Sequence, residues 1–339
     1  MPVSVREQLA AARRFSAVYS QSKRGKSILL GRTYVGALWI ANARGLQGLP
    51  DMGVVPKAVI DVLDLDLLLT ELKRLFGPPG KINVTAVKSV RNVVVDDLSI
   101  LAQRTYRKHD ADAPTSRKGV KNAWYGFQQA NQRWQEILDY LEVAGLGLGV
   151  SGHERYPDTD REKEHWVQGA DVGGFKMPSV SMGLELPKVM DCVYRMVENP
   201  LRAPWPVDLW TNMRASSSWS LGERRTILPK GVGPPSLAEI YRASGQVVPR
   251  APEIEPFAEE WVERYAAVFV DRGVDPSMGS TVQPFIMPAL KRLMALKTAD
   301  GADMPLWGAD WILQESLARA EIRQQQSVRT LAEAYGLVS

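Results

Sequence analysis

The sequence predicts an α/β fold: a mainly parallel sheet flanked by helices, followed by a helical C-terminal extension. Three observations predict it. Short apolar runs of strand length alternate with amphipathic stretches of helix length as far as residue 154. The run Val93-Val94-Val95 is apolar without alternation, as a strand buried on both faces requires. From residue 257 onward the pattern is helical alone. The 339 residues are 45% apolar and 24% charged, which excludes a disordered or collagen-like chain.

Taken in order, residues 2–14 read as a short amphipathic helix, and the aromatic, β-favouring run 15–20 as the first strand. The polar segment 21–26 leads into a helix-forming stretch, 27–36. Residues 37–42 are a second strand and 57–63 a third. An amphipathic helix over 64–77 stops at Gly77-Pro78-Pro79-Gly80. Residues 89–97 are the fourth strand, and 145–154 supply the fifth. Between them a long helical region is broken by the polar loop 110–119. Strands alternating with helices in this way imply a parallel sheet. In the second half, 155–180 is polar and Gly-rich, and 188–197 and 206–215 hold short strand candidates. The Pro-rich passage 231–256 reads as a linker or wrapping arm. The expected division is therefore a core over residues 1–250 and a Pro-rich linker with a helical region over 251–339.

No stretch approaches the ~18 to 20 consecutive apolar residues of a membrane span. The N-terminal stretch is charged and amphipathic, without the apolar core of a signal peptide. One cysteine, Cys192, excludes an internal disulfide and a cysteine-rich zinc site. Three scattered histidines argue against a histidine-rich metal site. The expected location is the cytoplasm. A net charge of +4, from 42 basic and 38 acidic residues, is too small to identify a nucleic-acid binder.

The informative segment is Ser20-Gln21-Ser22-Lys23-Arg24-Gly25-Lys26-Ser27. It matches the phosphate-loop pattern G-x-x-x-x-G-K-[ST] everywhere except the first position, where Ser20 stands for glycine. The chemistry needs these residue types at this spacing. A strand ends, a loop wraps backbone N–H groups around phosphates, and a helix N-terminus faces the negative charge. Lys26 is placed to reach the β- and γ-phosphates, and the Ser27 hydroxyl to hold Mg²⁺. Gly77-Pro78-Pro79-Gly80-Lys81 uses similar vocabulary but follows a helix, and its prolines remove backbone donors. It reads as a helix stop.

About 70 residues further on, Val93-Val94-Val95-Asp96-Asp97 is an apolar strand ending in acids, as a Walker B element requires. Asp96 is the candidate metal-shell carboxylate, and Asp97 a candidate for orienting the attacking water. Ser151-Gly152-His153-Glu154 closes the fifth strand, where His153 can sense a phosphate and Glu154 can act as a base. Lys176, in the Gly-rich loop that follows, is a further candidate phosphate contact, with a plain loop the equal alternative. Arg224-Arg225 reads more simply as solvated surface charge than as a nucleic-acid contact.

The segments SAVYSQSKRGKS, ALWIANARGL, NVVVDDLSIL and LGLGVSGHERYPDTD…GGFKMPS occur in an order that resembles the phage-encoded RecA-like P-loop ATPases. Some of these are nucleotide-binding proteins and others single-strand-annealing recombination ATPases. The resemblance covers roughly residues 13–250. It implies a RecA-type parallel sheet, ATP and Mg²⁺, homo-oligomerisation, single-stranded DNA as a partner, and a place in the host cytoplasm. It implies Lys26 and Ser27 as nucleotide and metal contacts, Asp96 as the Walker B acid and His153 as the sensor. Two departures stand out. Ser20 replaces the first loop glycine, which suits only a backbone that avoids positive φ. Ala41-Asn42-Ala43-Arg44 stands where such enzymes carry a catalytic acid, so hydrolysis depends on Asp97 or Glu154. The expectation is an ATPase acting on DNA. The alternatives are a nucleotide-binding structural or assembly protein with little hydrolysis, and a DNA-binding scaffold that takes no nucleotide.

Overall fold

The computed structural model describes residues 15–41, 46, 49, 54, 56–116, 118–160, 162, 168, 170–201, 207–210, 219, 221–223, 232–233, 237, 255–273, 279–298 and 301–320. The stretch 2–14, Asn42-Ala43-Arg44, Arg224-Arg225 and most of the Pro-rich passage lie outside those residues.

Ten strands are described: β1 (Phe15–Ser20), β2 (Leu38–Ala41), β3 (Ala58–Ile60), β4 (Asn92–Asp96), β5 (Gly147–Arg155), β6 (Gly174–Phe175), β7 (Cys192–Glu198), β8 (Val207–Trp210), β9 (Gly222–Glu223) and β10 (Val232–Gly233). The sheet runs in the order β10-β8-β7-β1-β5-β4-β2-β3, with β6 on β5 and β9 on β7. Strands β7, β1, β5, β4, β2 and β3 are parallel to their neighbours. Strands β8, β9, β10 and β6 pair antiparallel. The fold is thus the expected mainly parallel α/β sheet flanked by helices, with a mixed edge that the sequence pattern does not announce.

The helices are α1 (Lys26–Thr33), α2 (Leu65–Phe76), α3 (Val84–Val90), α4 (Leu98–Ala111), α5 (Tyr125–Ala144), α6 (Val180–Val189), α7 (Glu255–Asp271), α8 (Gly279–Met294) and α9 (Leu306–Arg319). Helix α2 begins where the Asp64 carboxylate accepts from Leu67 N, 2.9 Å away, a standard N-cap. It buries Leu65, Leu68, Leu69, Leu72 and Phe76 at helical spacing. Two boundaries differ from the sequence reading. Residues 89 and 90 end α3 rather than begin the fourth strand, and Lys188-Val189 end α6 rather than begin a strand.

The inner parallel strands β1, β5, β4 and β2 are buried on both faces, while the edge strand β3 is largely exposed. The side-chain alternation of a buried strand splits its apolar run between two layers. Val93 and Val95 join Ala17, Tyr19, Leu148 and Val150 in the layer covered by α2 and α5. Val94 joins Val18, Trp39 and Tyr194 in the layer that receives Leu29 and Leu30 of α1. Helices α7, α8 and α9 bury a further cluster of their own, which takes in Val35 just beyond α1.

Candidate nucleotide-binding site

Residues Ser20 to Lys26 form a strand–loop–helix turn at the C-terminal edge of the parallel sheet. Gly25 adopts φ 87°, ψ 18° at the N-cap of α1, a left-handed conformation that suits glycine. Ser20 lies in the extended strand β1, so the first position of the loop does not need glycine here. Its hydroxyl donates to Gln21 O at 2.7 Å.

Lys26 is 7% exposed. Its Nζ donates to Gln21 O at 2.9 Å and to Ser20 Oγ at 3.3 Å, inside the curl of the loop. Burial pushes the ammonium below the usual lysine range, while Asp97, Asp96 and Glu154 act to keep it charged.

One residue further on, the Ser27 hydroxyl donates to Asp96 Oδ2 at 2.6 Å. The other Asp96 oxygen takes a hydrogen bond from the Ser151 hydroxyl on β5. This follows from topology: β5 lies between β1 and β4, so its C-terminal end sits between the loop and the acid. Sequence reasoning did not pick out Ser151 as a contact of Asp96, because strand order is not written in the motif spacing.

Asp97 caps α4, its Oδ1 accepting from Ser99 N at 2.7 Å and Ile100 N at 3.4 Å. Its Oδ2 lies 3.1 Å from His153 Nε2. Burial raises the Asp97 carboxyl above the usual range, against the opposing pull of His153. His153 Nδ1 is 3.5 Å from Ser22 Oγ in the loop, and Ser20 is its register partner across β1 and β5. Its backbone N donates to Ser99 Oγ at 3.0 Å. His153 therefore touches the phosphate loop, the acid after β4 and the first turn of α4 together.

Glu154 is placed differently. Strand alternation turns it to the face opposite Ser151 and His153, where its carboxylate takes Arg195 Nε at 3.0 Å. The Arg195 guanidinium lies 3.4 Å above the Trp219 ring. Lys176 is exposed, and its backbone N donates to His153 O at 2.8 Å.

In the loop itself, Gln21, Ser22 and Lys23 are exposed. Arg24 pairs with Glu198 at the end of β7, and Gln21 meets the Tyr156 hydroxyl. Ser27 and Asp96 offer hard oxygen donors, which fit a Mg²⁺ ion that keeps phosphate and water ligands. Among the described residues there is no cluster of three or more His, Cys, Asp or Glu able to hold a metal by itself. None of the described helices is long and apolar enough to cross a membrane.

No protein-family model matches the chain, and no curated protein does. Among solved structures, the chain is similar to one described as "The Structure Of A DnaB-Like Replicative Helicase And Its Interactions With Primase". The identity is 8% and the TM-score 0.36, over 65% of this chain and 54% of that one. The chain thus spans about half the length of the protein it matches.

Proposed function

We propose that the chain binds ATP with Mg²⁺ and hydrolyses it in phage DNA metabolism, in recombination, annealing or replication support. The contact between Ser27 and Asp96 carries this reading. Two residues separated by 69 positions meet at 2.6 Å beside a buried lysine at the start of a helix. A basic surface turn has no need of that arrangement.

The bound Mg²⁺–nucleotide would supply a phosphorus electrophile and charge neutralisation. The chain supplies everything else. Backbone N–H groups of residues 23–27 and the α1 terminus bind the phosphates. Lys26 exchanges its loop carbonyl for phosphate oxygens and stabilises charge on the transferring group. Ser27 and Asp96 hold the metal. Asp97 orients the attacking water and accepts its proton, and its burial favours that proton's arrival. His153, between Asp97 and Ser22, reports the phosphate to the acid. Glu154, engaged by Arg195, ties β5 to β7 across the intervening strand β1. A homo-oligomer and single-stranded DNA as partner follow from the resemblance of the motif order to RecA-like phage ATPases.

A second reading, nucleotide binding with little turnover, is favoured by one observation. Both Asp97 oxygens are already engaged, one by the α4 amides and one by His153. Calorimetric titration with Mg²⁺–ATP, and phosphate release with and without single-stranded DNA, separate the two. Binding with release supports the ATPase, and tight binding without release supports the second reading. Lys26→Ala is expected to abolish binding, and Asp96→Asn to remove its Mg²⁺ dependence. Unchanged affinity in Lys26→Ala refutes the phosphate-loop reading itself.

A further inference from the structure

Strand β7 pairs with β1 as far as Tyr19 opposite Arg195. It then runs on through Met196 and Val197 to Glu198, where β8 returns along it. At about 3.3 Å per residue, that places Glu198 about 10 Å beyond the last pair, alongside the phosphate loop. Glu198 Oε2 there lies 2.6 Å from Arg24 Nη2. The same guanidinium nitrogen is 3.4 Å from Gln21 Oε1. The loop is thus fastened to β7 through Arg24 and to the segment after β5 through Gln21 and Tyr156.

This fastening opposes a local cost. Lys23 adopts φ 61° without being glycine, and a side chain with a Cβ disfavours that region. Gln21, Ser22 and Lys23 are exposed, so packing does not hold them. A loop that must converge its backbone N–H groups on a ligand then depends on side-chain ties at its flanks for pre-organisation.

We propose that Glu198 is a positioning residue: acting through Arg24, it holds the Ser22–Gly25 backbone in the conformation that takes a nucleoside triphosphate. The inference rests on the nucleotide-binding reading and names what keeps that site formed. The carboxylate stands near the phosphates, but its charge is balanced by Arg24, so its ordering effect outweighs its repulsion of them.

Mg²⁺–ATP is titrated calorimetrically into the parent, Glu198→Gln, Arg24→Gln and the double variant. Each single change is expected to weaken affinity by about two- to fivefold, the range of a partly exposed ion pair. The double variant is expected to bind no worse than the weaker single one, with thermal midpoints within about 1 °C of the parent. Lys23→Gly tests whether loop geometry is the cause, because glycine adopts left-handed φ freely. In that background Glu198→Gln should cost less affinity than in the parent. An unchanged or tighter affinity in Glu198→Gln overturns the proposal, as does an equal cost in both backgrounds. Amide exchange of Ser22 to Gly25 in the nucleotide-free protein reads the latch without ATP. Faster exchange in Glu198→Gln is expected, and unchanged exchange overturns the proposal. A parent that binds no ATP refutes the nucleotide-binding reading instead, and the exchange measurement then judges the latch by itself.

Discussion

Glu154→Gln separates a structural acid from a catalytic one. The Glu154 and Arg195 side chains are 4% and 11% exposed, their contact is 3.0 Å, and the guanidinium is stacked on Trp219. Removing one partner of a buried pair costs about 3 to 5 kcal/mol, because the other charge is left uncompensated. Glutamine keeps an oxygen that can accept from Arg195 Nε, so the expected loss is nearer 2 to 3 kcal/mol. At about 2 to 4 °C per kcal/mol for a chain of this size class, the thermal midpoint should fall by about 4 to 12 °C. Arg195→Met in the same background should recover part of that loss, since an unpaired buried cation would then be gone. The assay is paired: thermal unfolding of each variant, and phosphate release well below its midpoint. Turnover per folded molecule should stay within about threefold of the parent, far from the 10²- to 10⁴-fold loss expected on removing a general base. A variant as stable as the parent whose turnover falls a hundredfold or more would refute this account and make Glu154 the base.

Asp97→Asn should bind ATP nearly as the parent does and release phosphate about 10²- to 10⁴-fold more slowly. Asparagine can still cap α4 toward Ser99 N, so circular dichroism should be unchanged; undiminished release would remove Asp97 from the mechanism. Asp66 joins α2 to α4 and α5 by accepting from Lys108 at 2.8 Å, His109 at 2.9 Å and Arg133 at 2.6 Å. Burial alone would raise its carboxyl, but those hydrogen bonds hold it at about 2. Its ordinary value is near 3.9, so its stabilisation is present above about pH 4 and is lost as the pH falls toward 2. After allowance for solvent screening this amounts to about 1 kcal/mol. Urea midpoints at pH 5 and pH 3 should differ less in Asp66→Asn than in the parent, and an equal difference in both would discount Asp66.

Five of the six parallel strands, β1 to β5, were legible because each is an apolar run of strand length. The strand–loop–helix turn around Lys26 was legible because an apolar strand run, a polar Gly-containing segment and a helix-forming stretch follow one another there. The acids were harder. Asp97 and Glu154 both end strands, and residue type alone does not rank them. Parity along β5 was the available signal: Ser151 and His153 share a face, and Glu154 takes the other. Helix α6 escaped notice because Gly183 and Pro187 sit inside it, both poor helix residues. At the β7 edge, β8 lies within the strand candidate 206–215, whereas β9 and β10, two residues each, are too short to display a period. The bond from Ser151 to Asp96 depends on β5 entering between β1 and β4, a long-range fact that no local pattern records.

Strand β5 also governs the elevation of α1. A Cβ on Gly149 would lie 2.6 Å from Tyr34 Cε2 and 3.2 Å from Leu30 Cδ2. Because that methyl is missing, the Tyr34 ring can approach the strand at Gly149, and its hydroxyl reaches Ser16 Oγ at 2.7 Å. The helix can then ride low enough over β5 for Ser27 to span the strand and meet Asp96. A chain with alanine at this place would spell the same loop, letter for letter, but Tyr34 and Leu30 would have to give way over β5. The address of the candidate metal site is therefore written partly in a residue that touches neither Ser27 nor Asp96.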